Sequence, residues 1–286
     1  KENTNHNVDS NGQLRVAAAI GVGEEALLRA QLLVAKGVDI LHIDMAHGFQ
    51  RVVLETLKAL KTKYRDGPDI VAGNISIGDG AVALAEAGAD GVLVGQGGGA
   101  SCTTRRVAGI GKPQVSGVWE SARALERAQF TDVAICSDGG IRESGDIVSA
   151  LAAGAHCVMV GGLLAGTDEA PGEKHYHDGH YYKDYYGMGS MRAMEESSAS
   201  RQRYLQMQGA LVPEGVEAEV AYKGPVSDIL RQQIGGMRKG FHYVGARMLK
   251  ELHEEAVFFS VTPAGDMESH PHDVRITRLP PNYGGT

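Results

Sequence analysis

The stretch from Gly95 to Arg106, GQGGGASCTTRR, carries the side chains best suited to chemistry. Gly97, Gly98 and Gly99 remove every Cβ from a short arc, which lets a ligand approach the main chain closely. A thiol follows at Cys102, and guanidinium groups stand just beyond it at Arg105 and Arg106. Positive charge nearby favours thiolate, the nucleophilic form of cysteine. On its own such a segment also reads as a flexible turn before a small residue, so the surrounding elements have to decide. Two further glycine turns, Ser137-Asp-Gly-Gly-Ile141 and Val160-Gly-Gly-Leu163, fall where strands should end. Paired turns of this kind in a barrel, with a helix N-terminus, hold phosphate through backbone N–H groups.

The elements that position these residues show in a weak internal repeat. Residues 33–43, 84–94 and 151–160 each combine the last turn of an Ala/Leu helix, a glycine suited to a left-handed C-cap, and a short apolar strand. Further strands are predicted over 14–20, 69–73 and 133–137, and helices over 24–36, 52–63, 80–87, 118–129 and 144–152. Six strands alternating with helices imply an α/β fold with a parallel sheet, either doubly wound or closed into a barrel. Residues 1–13 read as a polar linker, 14–166 as the βα units, and 167–224 as a hairpin and long mobile flap. Helices return over 226–235 and 244–254, and the proline-bearing tail over 261–286 should be extended.

Composition narrows the partners. At 286 residues, 43% hydrophobic and 22% charged, the chain can bury a sizeable core. A net charge of −7 leaves no basic footprint for nucleic acid, and no apolar run is long enough to span a bilayer. Three cysteines make no disulfide framework, which suits a cytoplasmic enzyme acting on a small molecule. Cys136 and Cys157, inside apolar strands, are expected to be small buried hydrophobes, and Trp119 a packing anchor. His47 could contact a cofactor or hold a loop. His175, His177 and His180, with Asp178, have a spacing that could hold zinc, but in a hairpin without cysteine a solvated turn is the simpler expectation.

The order of motifs resembles the IMP dehydrogenase and GMP reductase family over nearly the whole chain. The matching pieces are LRVAAAIG from Leu14, DMAHG from Asp44, AGN from Ala72, the Cys102 loop, SDGGIR from Ser137, VGGLLAG from Val160 and YGMGS from Tyr186. LVPEG from Leu211, YKGP from Tyr222 and ESHPHD from Glu268 complete the series. The resemblance implies a (β/α)8 TIM barrel of which this chain carries strands three to eight, a flap and a C-terminal tail. It also implies that Cys102 attacks C2 of a purine mononucleotide, with Thr104 at the reacting centre and Arg203 and Tyr204 as the flap base and its partner.

By the same resemblance Ser101, Asp138, Gly139, Gly140, Gly161, Gly162 and Tyr185 hold the nucleotide, mainly its phosphate. Met188, Gly189 and Glu214 read the base, and Asp44 and Asn74 take the NAD or NADP side. Carbonyls of Gly97, Gly99 and Cys102, with those of Glu268, Ser269 and His270 from a neighbouring subunit, imply a K+ site and a homotetramer. Family members also have two earlier barrel strands and often a pair of CBS modules, which could build an octamer. Their absence here implies a fragment.

The departures divide the two activities. Ala100 stands where the family has a phosphate-binding serine, and Gly162 and Tyr186 look like a reductase. Met191, in place of a reductase glutamate, together with the flap length and the Arg203-Tyr204 pair, favours a dehydrogenase forming XMP from IMP. GMP reductase is the alternative, and a nucleotide-binding subunit without turnover the minor one.

Overall fold

The computed structural model describes residues 7–283. Six strands, β1 (Ala17–Ile20), β2 (Ile40–Asp44), β3 (Asp69–Ile75), β4 (Gly91–Val94), β5 (Ala134–Asp138) and β6 (Cys157–Met159), form one sheet in chain order, every pair parallel. Helices α1 (Gly23–Ala35), α2 (Arg51–Lys63), α3 (Gly78–Glu86), α4 (Thr104–Val107), α5 (Gln114–Arg127) and α6 (Ser144–Ala152) lie between successive strands. The sheet curls into a parallel half-barrel that corresponds to strands three to eight of a (β/α)8 barrel.

Strand alternation assigns the two faces. Leu41, Ile43, Ile70, Ala72, Val92, Val94 and Ile135 are fully or almost fully buried in the core under the helices. The residues between them, including His42, Asp44, Gly73, Cys136, Asp138 and Cys157, project to the opposite, concave face. The functional loops therefore leave the C-terminal strand ends, where side chains of several strands converge.

A second, antiparallel sheet comprises β7 (Lys174–His177), β8 (His180–Tyr186) and β9 (Glu217–Ala221). Asp178 and Gly179, both at positive φ, make the two-residue turn between β7 and β8. Between β8 and β9 the chain makes an excursion that contains α7 (Met191–Glu196) and α8 (Ser198–Arg203). Strand β9 has too little apolar patterning to be read locally; its pairing with β8 creates it.

Several features differ from expectation beyond the half-barrel. Helix α9 (Val226–Val244) runs through Gly235 and Gly236 instead of stopping there, because Gly236 and Gly240 let it pack tightly on α6. A Cβ at Gly240 would lie 2.6 Å from Val148. After α10 (Leu249–Glu255), the tail is not wholly extended: Thr262 caps Gly265 N at 3.2 Å and starts α11 (Pro263–Glu268), with proline in the first turn. Trp119 is half-exposed on α5 beside Arg123 and is not the buried packing anchor expected.

Cys157 is exposed, and not the buried hydrophobe expected, because β6 is an edge strand and the thiol lies on the concave face. It lies opposite Cys136, whose hydrogen bond holds the Cys157 thiol below its ordinary range. Residues 1–6 of the expected linker lie outside the described residues. In the rest of it, the Asp9 carboxylate accepts Asn11 N and Gln13 N, and Val8 bridges Leu14.

Candidate active site

Gly95 follows β4 at φ +151°, and a Cβ there would collide with the Asp138 carbonyl, so the thiol loop can hug the end of β5 only with glycine. The loop then turns back: Cys102 N donates to Gly99 O at 3.1 Å. Thr103 N donates to Glu214 O at 2.8 Å and Val216 N to Ser101 O at 2.9 Å, which pairs Cys102 with Gly215. The half-buried Cys102 Sγ lies 3.1 Å from Thr104 Oγ1. The arginines do not serve the thiol as expected. Arg105 Nε donates to Gln96 O at 3.0 Å and its guanidinium also reaches Lys112 O, while Arg106 is exposed.

The excursion between β8 and β9 folds over this loop. Glu214 N donates to Gly189 O at 2.8 Å, and Gly189 faces the Tyr204 hydroxyl so closely that a Cβ would lie 2.7 Å from it. Arg203, at the end of α8, is ion-paired with Asp44 at the end of β2, and its carbonyl accepts Ala46 N at 3.0 Å. Burial pushes the Arg203 guanidinium below its ordinary range, while contact with Tyr204 pulls it back up. Burial also raises the Tyr204 hydroxyl. A cavity of about 460 Å³ is lined by His47, Gln96, Thr104, Arg203, Tyr204 and Glu214 among others. His47 Nδ1 meets Gln96 Nε2 at 3.0 Å, a loop hydrogen bond at the cavity wall.

A backbone cradle adjoins the thiol. Gly139 and Gly140 both adopt positive φ, and an added Cβ at Gly139 would lie 3.3 Å from Gly99 N. Gly162 would bring a Cβ within 3.2 Å of Ala100 and 3.5 Å of the Tyr185 hydroxyl, with Gly161 next to the same phenol. Asn74 Nδ2 donates to Gly95 O at 2.9 Å and to Asp138 Oδ2 at 2.6 Å. Burial raises the Asp138 carboxyl, against the pull of Asn74. Asn74, expected beside Asp44, is thus tied to the cradle side as well. Ser101 is buried against Gly187.

Other expected residues lie further out. Met188 is half-exposed, its sulfur accepting Ser200 Oγ at 3.9 Å. Glu268 ends α11, Ser269 follows it, and His270 Nδ1 meets Tyr283 Oη at 2.7 Å in a groove shared with Arg142 and Asp228. Within one chain these three do not line the cavity beside Thr104 and Arg203.

Three polar residues went unread in the sequence. His42, alternating with Asp44 on the concave face, is buried with Nε2 unpartnered, and burial plus nearby Arg203 lowers it to about 4. Gln96 is held by Ser76 and in turn donates to Ala46 O at 2.9 Å. Gln114 Nε2 donates to Val94 O and Ser137 Oγ, leaving its buried Oε1 unpartnered beside the cradle. A polar side chain in an apolar strand was a visible signal for His42. Nothing local marked the glutamines.

The family model described as IMP dehydrogenase / GMP reductase domain matches residues 1–272. Inosine-5'-monophosphate dehydrogenase of Aquifex aeolicus is 52% identical over 96% of this chain and 55% of its own length. That of Staphylococcus saprophyticus is 50% identical over 96% of this chain and 56% of its own. The chain therefore spans about half the length of the curated relatives it matches. GMP reductase of Trypanosoma brucei, solved in complex with guanosine 5'-monophosphate, superposes with a TM-score of 0.86 at 42% identity, over 96% of this chain and 56% of that one.

Proposed function

The chain belongs to the IMP dehydrogenase / GMP reductase family, and on that premise we propose that it oxidises IMP at C2 with NAD, releasing XMP and NADH. The observation that carries this reading is the convergence of Cys102, Thr104, Tyr204 and Glu214 around one region, with Arg203 bound to Asp44 at its edge. Cys102 Sγ adds to C2 of the purine, and C2 gives up a hydride, leaving a thioimidate between sulfur and C2. Water then adds to C2, the C–S bond breaks, and the thiolate leaves; one proton is released overall. NAD supplies the hydride acceptor when bound, and Asp44, a carboxylate that can accept both hydroxyls of a ribose, would hold it.

Thr104 Oγ1, 3.1 Å from the sulfur, can steady the thiolate and the attacking water in turn. Arg203 is the base for the water. An arginine is ordinarily too basic for this, and burial moves it in the required direction. Because Asp44 is taken by Arg203, cofactor and flap must use the same carboxylate in succession. Ser101, Asp138, Gly139, Gly140, Gly161, Gly162 and Tyr185 would hold the nucleotide phosphate and ribose, and Met188, Gly189 and Glu214 its base. Residues 167–224 act as the flap unit on the barrel units of 14–166. Carbonyls at Gly97, Gly99 and Cys102 offer the hard oxygen ligands a potassium ion prefers, and Glu268, Ser269 and His270 would have to come from a neighbour, as in a homotetramer. CBS modules, where present, could join tetramers into an octamer.

GMP reduction with NADPH is the second reading, favoured by Gly162 and Tyr186. Two absorbance assays at the nicotinamide band decide: IMP with NAD should give NADH, and GMP with NADPH should give no change. The reverse result moves the assignment to the reductase. Silence in both with tight IMP binding leaves a binding subunit. Cys102→Ala should abolish turnover and retain IMP binding.

A further inference from the structure

The antiparallel sheet holds a group of side chains that the reaction above does not use. Asp184 on β8 lies directly opposite Glu219 on β9, and His175 on β7 pairs with Tyr182, two residues before Asp184 and on the same face. His175 Nε2 lies 2.9 Å from Asp184 Oδ1. One ligand atom from each of His175, Asp184 and Glu219 lies within 4.8 Å of the others. His177 is on this face too: its Nε2 meets Glu219 Oε2 at 2.8 Å, and its ring stacks on Tyr182 at 4.4 Å and 9°. The expected zinc-like set was His175, His177, His180 and Asp178. Strand pairing selects a different one, because Asp184 and Glu219 are brought in beside His175 from other strands.

Two carboxylates opposite one another on neighbouring strands repel unless a cation lies between or beside them. Each carboxylate here meets one imidazole, Asp184 that of His175 and Glu219 that of His177, while Arg192 Nη1 is 3.9 Å from Asp184 and its Nε is bound to Glu196 at 3.0 Å. The geometry points to a divalent transition-metal site, with zinc as the natural occupant, held by His175 Nε2 and carboxylate oxygens of Asp184 and Glu219, with water completing the shell. One imidazole and two carboxylates match the ligands zinc takes at about 2.0–2.2 Å. The side chains must shift to take the ion between them, and exposures of 37%, 30% and 40% leave them free to rotate and open to it. His177 then orients Glu219 from behind, as outer partners of metal ligands do. Such an ion would join all three strands, including the two from which the flap departs and returns.

Tag-free protein titrated with zinc chloride by calorimetry, and with cobalt(II) by visible absorption, tests this. One ion per chain is expected. His175→Ala and Glu219→Gln should each weaken binding by about tenfold or more, and His177→Phe by about tenfold. His253→Ala should leave it unchanged, with identical far-ultraviolet circular dichroism for all variants. No uptake at a large excess of zinc overturns the assignment. So does uptake that survives both His175→Ala and Glu219→Gln and disappears with Cys157→Ser, which would place the ion on the Cys136–Cys157 thiols instead.

Discussion

Arg203 joins two demands in one side chain. In the proposed reaction it must approach the reacting water as a base, yet its guanidinium is ion-paired with Asp44. Arg203→Ala should separate the two: NAD binding tightens because Asp44 is freed, and mixing with IMP gives a burst of about one NADH per site followed by turnover slowed by about 10²–10⁴-fold. A steady rate equal to wild type without a burst would remove Arg203 from the hydrolytic step. His42 carries a pH dependence of a definite sign. Its folded pKa, about 4, lies below the unfolded 6.5, so folding favours the neutral ring and stability is lost as pH falls through that window. The loss should reach about 3 kcal/mol at the acid end. Urea unfolding at pH 7.5 and 5.0 should show a smaller fall for His42→Val than for wild type; equal falls would mean that His42 is not the titrating group.

Helices and strands were legible where the chain repeats itself. The helix–glycine–strand pattern of 33–43, 84–94 and 151–160 placed β2, β4 and β6 because a buried parallel strand needs only a short apolar run and a left-handed cap before it. Helix α9 and strand β9 were not legible in the same way. Gly235 and Gly236 look like a helix end, and only the approach of α6 makes glycine at 236 and 240 useful inside a helix. Gly240→Val should overpack that contact with Val148 and cost roughly 1–3 kcal/mol, read as a lower urea midpoint. An unchanged midpoint would show that α9 can shift freely on α6. Strand β9 owes its existence to β8, a pairing partner beyond the flap.

On the scale of the molecule, the curled sheet gathers the ends of β2, β3, β4 and β5 while the second sheet brings the excursion between β8 and β9 against them. If the tail residues 268–270 complete a potassium site on a neighbour, sedimentation should show a species about four times the 30.3 kDa chain mass. Replacing potassium with sodium should then slow turnover; a monomer with the same rate in either salt would set the shared site aside. The sequence by itself determined the βα rhythm, the thiol loop and the glycine turns, since each depends on local backbone freedom and periodicity. Only the tertiary structure decided which polar groups meet. Asn74 with Asp138, Arg203 with Asp44, His175 with Asp184 and Glu219, and the diversion of Arg105 to carbonyls all join residues from different strands or turns. Spacing along the chain does not set such distances; the curl and register of the two sheets do.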